Sequence, residues 1–218
     1  MIASSREQIK QRLSPHKTGG LFRRQNGGLF VTFEGGEGSG KGKQVKQLKE
    51  RLELSGYEVV VTRDPGGTHV GDMLRSIVLD GRNTSIANTT ELLIYMASRA
   101  QLVNDVIAPA IEAGKIVISD RFIDSTMVYQ HLVRESIDLR LLNRLNDYVC
   151  GEYQPDVTIV LDIDPAIGLE RAQTRNKIDF EASGIDESRW ENEHIEIHQK
   201  INDAYVQVVK MYKGRRPV

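Results

Sequence analysis

A single cysteine, Cys150, stands in a chain of 218 residues, so no internal disulfide can hold it and stability must come from a packed core. The sequence nowhere runs through about 18 consecutive apolar residues, and no apolar secretory segment opens it, so neither a membrane span nor an export signal is expected. With one cysteine to keep reduced, this predicts a cytoplasmic setting. An excess of either charge is missing too: 29 Lys and Arg against 30 Asp and Glu leave a formal net charge of −1 at pH 7. Nucleic-acid binders usually carry a basic domain, so nucleic acid is not expected as a partner and any polyanion must be gripped locally. The five histidines are scattered. His194 and His198 form an i, i+4 pair without an acidic or cysteine partner in a metal motif, which reads as a solvated helix face rather than a zinc site.

What is present suffices for one α/β domain, with 39% hydrophobic residues. Residues 1–27 are set apart by charge: Arg6, Lys10, Arg12, Lys17, Arg23 and Arg24 against Glu7 give 6 − 1 = +5. Ser4 to Glu7 can cap a short helix ending before Pro15, and glycines 19, 20, 27 and 28 mark a flexible join, so this segment reads as a basic flexible extension to a domain spanning 28–218. From Leu29 onward strand-like runs near 29–34, 58–62, 116–119 and 157–161 alternate with helical stripes. Val45, Leu48 and Leu52 form one; Leu92, Leu93, Met96, Val103, Val106 and Ile107 form a longer one. Such alternation predicts a parallel sheet of about five strands with helices on both faces.

The most informative stretch follows the first strand. Gly35, Gly36, Glu37, Gly38, Ser39, Gly40 and Lys41 fit the G-x-x-x-x-G-K phosphate loop. Its glycines let backbone N–H groups converge on phosphate oxygens, its lysine adds a positive charge, and the next helix points its partially positive end at the anion. One position departs: Gly42 stands where a Ser or Thr hydroxyl would ligate magnesium, and Lys43 follows.

Ligands of open parallel sheets gather beyond the carboxyl ends of the strands. The informative polar residues fall there: Arg63-Asp64-Pro65-Gly66-Gly67-Thr68 after the second strand, Asp120-Arg121 after the third, Asp162-Ile163-Asp164 after the fourth. Asp120 can hold a magnesium ion while Arg121 grips a phosphate with a fork of donors. Segment 166–193 is rich in charge, with Arg171, Arg175, Lys177 and Arg189 among carboxylates, and reads either as a solvated loop or as a lid, about 166–190, bringing cations to a transferring group. Tyr95 and Arg99 share a helix face able to stack on and hydrogen-bond a base.

Taken in order, Phe33 to Lys41, Thr62 to Thr68, Glu91-Leu92-Leu93 through Ser98-Arg99-Ala100-Gln101, Asp120-Arg121-Phe122 with Ser125, Tyr129 and Gln130, and Arg189-Trp190-Glu191 make the chain resemble bacterial thymidylate kinases, which are P-loop nucleoside monophosphate kinases. The resemblance implies transfer of the γ-phosphoryl group of ATP to dTMP, with Mg2+, in a homodimer. It implies that Lys41 and the loop amides, through Gly42 and Lys43, cradle the ATP phosphates. Glu37 would sit by the deoxyribose and acceptor phosphate, Arg121 and Arg63 would hold the dTMP phosphate, and Asp120 would place the metal. Tyr95 matches a ring that stacks on thymine, Arg99 and Thr126 match residues that read the base edge, Ser125 lies beside them, and Tyr129 matches a ring favouring deoxyribose. The loop itself supplies no extra cation, so that role falls to the lid, with Arg175, Lys177 and Arg189 as candidates. The family usually has two threonines at Gly42-Lys43 and an aspartate at Ser188. Gly42 therefore leaves room for a weak or inactive nucleotide-binding homologue, and the base pocket for another pyrimidine monophosphate as acceptor.

Overall fold

The computed structural model describes residues 27–212. The predicted basic extension, Gly27 aside, lies outside them. Strands β1 (Leu29–Glu34), β2 (Val59–Arg63), β3 (Ile116–Asp120) and β4 (Val157–Val160) form one parallel sheet in the order β2-β3-β1-β4. Four strands are thus found among the described residues rather than about five. Between β4 and Tyr212 the apolar residues of the last helix fall at helical spacing, Ile201, Ala204, Tyr205 and Val208 all being buried on one face, so no further strand is found among the described residues.

The helices are α1 (Lys41–Leu54), α2 (His69–Val78), α3 (Asn88–Leu102), α4 (Ala108–Glu112), α5 (Ile123–Thr126), α6 (Leu139–Cys150), α7 (Pro165–Ser183) and α8 (Ile195–Tyr212). Two π-helical stretches interrupt them, Val103–Ile107 between α3 and α4 and Met127–Val133 after α5. The second holds Tyr129. A π turn carries one extra residue, which re-aims the side chains around it.

Alternation along β1 divides the core. Leu29, Val31 and Phe33 pack with Ile116, Ile118 and Val45 of α1 on one face, while Phe30 and Val117 meet Leu102, Ile107 and Phe122 on the other. A third cluster joins Leu92 and Met96 of α3 to Leu142 of α6, Trp190 and Ile201, under α8. Leu93, expected within the apolar stripe, is instead exposed, because the stripe turns with the helix and passes through Leu92 and Met96.

The charge-rich stretch 166–190 is mostly not a loop. Asp164 caps α7 through the Ala166 and Ile167 amides, Pro165 occupies its first turn, and Gly184 ends it in the left-handed region at φ +70°. Only Gly168 and Ala172 are buried along its 19 residues, which is why no apolar period was visible.

Candidate active site

The strand register gathers the site. Phe33 pairs with Asp120 and Asp120 with Arg63, so the loop after β1, the Asp120-Arg121 step and the loop after β2 leave the sheet at one level. Gly40 enters α1 at φ +91° with no side-chain cap, and no acidic residue occupies the first turn. The helix therefore offers its N-terminal amides and dipole to an anion. The loop is pinned from behind: a Cβ on Gly38 would lie 1.9 Å from the Gly168 carbonyl oxygen, and one on Gly168 would lie 2.4 Å from that of Glu37. Glycine at both positions is thus a packing requirement joining the loop to the first turns of α7.

Lys41 is buried and donates from Nζ to the carbonyls of Gly35 (3.0 Å) and Gly36 (2.9 Å), inside the loop. Burial first, then the Arg121 guanidinium, pull its ammonium down to about 8, against the upward pull of Asp120, Glu37 and Glu34. A phosphate arriving at the loop would restore the full charge.

Arg121 is the hub of the site. Its backbone is left-handed at φ +69°, rare for a side chain of this size, and its N–H donates to the Phe33 carbonyl at 2.8 Å. What holds that turn is Glu34, fully buried at the end of β1. It accepts from the amides of Phe122 (2.8 Å) and Ser125 (3.3 Å), from the Ser125 hydroxyl (2.6 Å) and from the Tyr205 hydroxyl (3.0 Å). Burial and the Asp124 carboxylate push Glu34 up to about 7, against Ser125, Arg121 and the Phe122 amide. The Arg121 guanidinium then fans out over the Tyr129 ring, donating to Ser125 (3.2 Å), Tyr205 (3.0 Å) and Glu37 Oε1 (2.9 Å). Tyr129 donates to the same Oε1 at 2.6 Å. Burial works against a charge on Glu37, yet Arg121, His198, Lys41 and Tyr129 outweigh it and hold this carboxyl far below the usual range.

Around these groups lies a cavity of about 530 Å³, the size of a small-molecule site. Glu37, Gly38, Lys41 and Gly42 of the phosphate loop line it together with Asp120, Arg121, Ser125 and Tyr129. Tyr95, Arg99, Thr126 and Arg63 line it as well. Arg63 is half-exposed and paired with Asp72 at 3.1 Å. Arg99 is 1% exposed and already engaged: Nε on Asp64 (2.6 Å), Nη1 on Asn146 (3.0 Å), Nη2 on Thr126 (2.7 Å) and on the Phe122 carbonyl (3.2 Å). Tyr95 belongs to both core and cavity; its hydroxyl accepts from Trp190 Nε1 at 3.3 Å. Burial, with the Glu91 carboxylate behind it, pushes this phenol up to about 12, so it stays neutral.

The predicted lid cations part company. Arg175 lines the cavity from α7 and donates to Glu191 at 3.3 Å. Arg189 is not at the phosphate loop: it pairs with buried Glu91 and donates to the Val78 carbonyl, fastening loop 184–194 to the ends of α2 and α3. Lys177 is exposed on α7, and Lys43 is exposed on the first turn of α1. His198, expected on a solvated face, is 4% exposed, with Nδ1 3.7 Å from Glu37 Oε2, whereas His194 is exposed just ahead of α8.

The thymidylate kinase family model matches residues 33–216. The chain belongs to the thymidylate kinase family. Among its relatives, the thymidylate kinase of Maridesulfovibrio salexigens is 49% identical over 178 residues, covering 82% of this chain and 81% of that one. That of Pelobacter propionicus is 46% identical over 185 residues, covering 83% and 81%. The crystal structure of thymidylate kinase from Ehrlichia chaffeensis superimposes with a TM-score of 0.67 at 32% identity, covering 87% of this chain and 89% of that one. The family's P-loop fold is thus the fold found here.

Sequence reasoning named most of the cavity but gave no part to Glu34, Asn146, Glu191, His198 or Tyr205. Glu34 had a visible signal, a carboxylate ending a strand that is apolar but for Thr32. The others come from helices and a loop remote in sequence, and only packing brings them in. As for a metal, no group of three or more His, Cys, Asp or Glu that could hold an ion by themselves occurs among the described residues. Asp120 supplies one carboxylate, and the space that a side chain at Gly42 would enter holds no atom within 4 Å. That set fits Mg2+, which keeps waters and is commonly held by one or two carboxylates with substrate phosphates.

Proposed function

We propose that the protein transfers the γ-phosphoryl group of ATP to dTMP, giving ADP and dTDP. The observation that carries this reading is the meeting of the uncapped loop–α1 amides with the Arg121 guanidinium across one cavity, in a chain of the thymidylate kinase family. The loop amides and Lys41 take the donor phosphates, Lys41 exchanging its contacts with the Gly35 and Gly36 carbonyls for phosphate oxygens. Arg121 takes the acceptor phosphate; an oxygen of that phosphate attacks the γ-phosphorus as the bond to the β–γ bridging oxygen breaks. Tyr95 and Thr126 flank the base end, and Arg175 is the lid cation nearest the reaction. Asp120 would hold Mg2+ through carboxylate or water, and the ion would supply positive charge to the transferring group. Positioning and charge carry the reaction; no covalent enzyme intermediate is needed.

Two further parts of the reading have their own support. Val70, Met73 and Ile77 form an exposed apolar stripe on α2 beside exposed Leu93 of α3, a surface suited to a second copy in a homodimer. Substituting Met73→Asp is expected to shift the protein to monomers in light scattering. A reduced, cytoplasmic setting suits the single, buried Cys150 and the lack, among the described residues, of any helix long and apolar enough to cross a membrane.

The deciding assay couples ADP release to dTMP, ATP and Mg2+. Turnover is expected, with dUMP a poorer but real acceptor, because the missing methyl is worth only about 1–3 kcal/mol. Measurable dTMP binding without turnover would favour the nucleotide-binding homologue that Gly42 brings to mind, and neither binding nor turnover would end the kinase reading. Gly42→Thr is expected to lower the Mg2+ concentration needed for half-maximal rate, since its hydroxyl would enter open space beside Asp120. An unchanged Mg2+ requirement would mean that another group already serves the ion.

A further inference from the structure

Glu37 presents two oxygens in different circumstances. Oε1 accepts from Arg121 and Tyr129, whereas Oε2 is buried with no hydrogen-bond partner, and so is Nε2 of His198. The group facing Oε2 is His198 Nδ1, at 3.7 Å. Glu37 of the phosphate loop, and Glu191 and the Trp190 carbonyl of loop 184–194, all favour a charge on the ring. Beyond these, Arg175 pairs with Glu191, Tyr129 gives its hydroxyl to Glu37, and Arg121 lies across Glu37 Oε1. What sets Glu37 and His198 apart is their placement, an imidazole lying against a carboxylate that already shares the Arg121 guanidinium.

The formal charges give this placement a consequence. Arg121 and Glu37 together sum to zero, a poor receptor for the dianionic phosphate of a nucleoside monophosphate, and Glu37 competes with that phosphate for the same guanidinium. A proton on His198 brings the trio to +1 and gives Glu37 a further cation beside Arg121 and Lys41, freeing Arg121 for the phosphate. We propose that protonated His198 is a positioning residue that charges the acceptor-phosphate pocket by neutralising Glu37, so that dTMP affinity depends on its protonation. This deepens the kinase reading and rests on it. Burial pulls the imidazole down, but Glu37, Glu191 and the Trp190 carbonyl more than offset this and raise it above the usual histidine value. The charged form therefore persists to higher pH than in an ordinary histidine and is lost as pH rises through that raised midpoint.

The test compares the dissociation constant for dTMP by calorimetry, which needs no turnover, in wild type and His198→Asn between about pH 6 and pH 9. Because the phosphate itself takes a proton near pH 6, only the difference between the two proteins is read. Wild type is expected to lose about tenfold in affinity across the His198 titration while the variant stays flat and weak; parallel curves would overturn the proposal. In steady-state assays the variant should raise KM for dTMP and leave kcat nearly unchanged. By reciprocity, dTMP should raise the His198 midpoint by about one pH unit, read from its Cε1 proton resonance. Should His198→Asn not fold, the resonance is assigned by replacing the other histidines singly, and a midpoint unmoved by dTMP would itself overturn the idea. Failure of the kinase reading would show separately, as absent turnover or absent dTMP binding in the wild type.

Discussion

Replacing Arg121 with alanine is expected to lower kcat/KM for dTMP by about 10³-fold, the size associated with losing one charge-stabilising group from a transfer site. The other cations that line the cavity are already engaged, Arg75 with Glu187, Arg99 with Asp64 and Arg175 with Glu191. Lys41 is committed to the donor loop, Arg63 is half-exposed and tied to Asp72, and Arg189 is fastened to Glu91. Arg121→Lys should recover little, because the guanidinium serves Ser125, Tyr205 and Glu37 as a planar fork that a single ammonium cannot reproduce. The backbone adds a separable effect. At φ +69° any residue with a Cβ is strained, so Arg121→Gly should be more stable than Arg121→Ala by about 1 kcal/mol while equally inactive. Steady-state kinetics with dTMP varied, and denaturant melts of the pair, separate the two. A loss under tenfold, or glycine no more stable than alanine, would contradict the arrangement described for Arg121.

Much of this could be read before the fold was known, and the limits have physical causes. The phosphate loop was legible because its chemistry is local: glycines, lysine, preceding strand and following helix lie within about one turn of each other in sequence. Asp120 and Arg121 were legible because they end an apolar run, and strand ends in a parallel sheet share one edge. Helix α7 was hidden by its exposure. With only Gly168 and Ala172 buried it has no stripe to detect, so its helical form was hidden among its charges. Gly168 shows the same limit differently, since its need to lack a side chain arises from the Glu37 carbonyl, more than a hundred residues away. His198 was misjudged for a related reason. Its i, i+4 partner His194 falls outside α8, and His198 itself lies against Glu37, a residue far away in sequence.

The second large effect is on stability. Arg99→Ala should destabilise the protein by about 3–5 kcal/mol, because it leaves Asp64 as a buried carboxylate without its cation. The pair is 2.6 Å apart with both side chains almost fully out of water, and Asp64 Oδ1 already lacks a partner. For a chain of this length the loss corresponds to a fall in Tm of about 6–20 °C. The deficit should depend on pH with a definite sign. Burial already raises the Asp64 carboxyl despite the opposing pull of Arg99, and removing that pull raises it further, so the folded variant takes up a proton that the unfolded chain releases. Stability of Arg99→Ala is then highest in acid and falls as pH rises toward the folded-state value, where Asp64 must carry a charge. Adding Asp64→Asn should restore much of the loss and remove that pH dependence, because a neutral amide no longer needs the guanidinium. The double variant would still lack the group beside Thr126 at the base end of the cavity, so dTMP affinity should stay low while the melt recovers. Recovery of both together would place Arg99 in the scaffold alone. A single variant that melts within a degree or two of wild type would mean the ion pair contributes nothing beyond a hydrophobic contact of the same size.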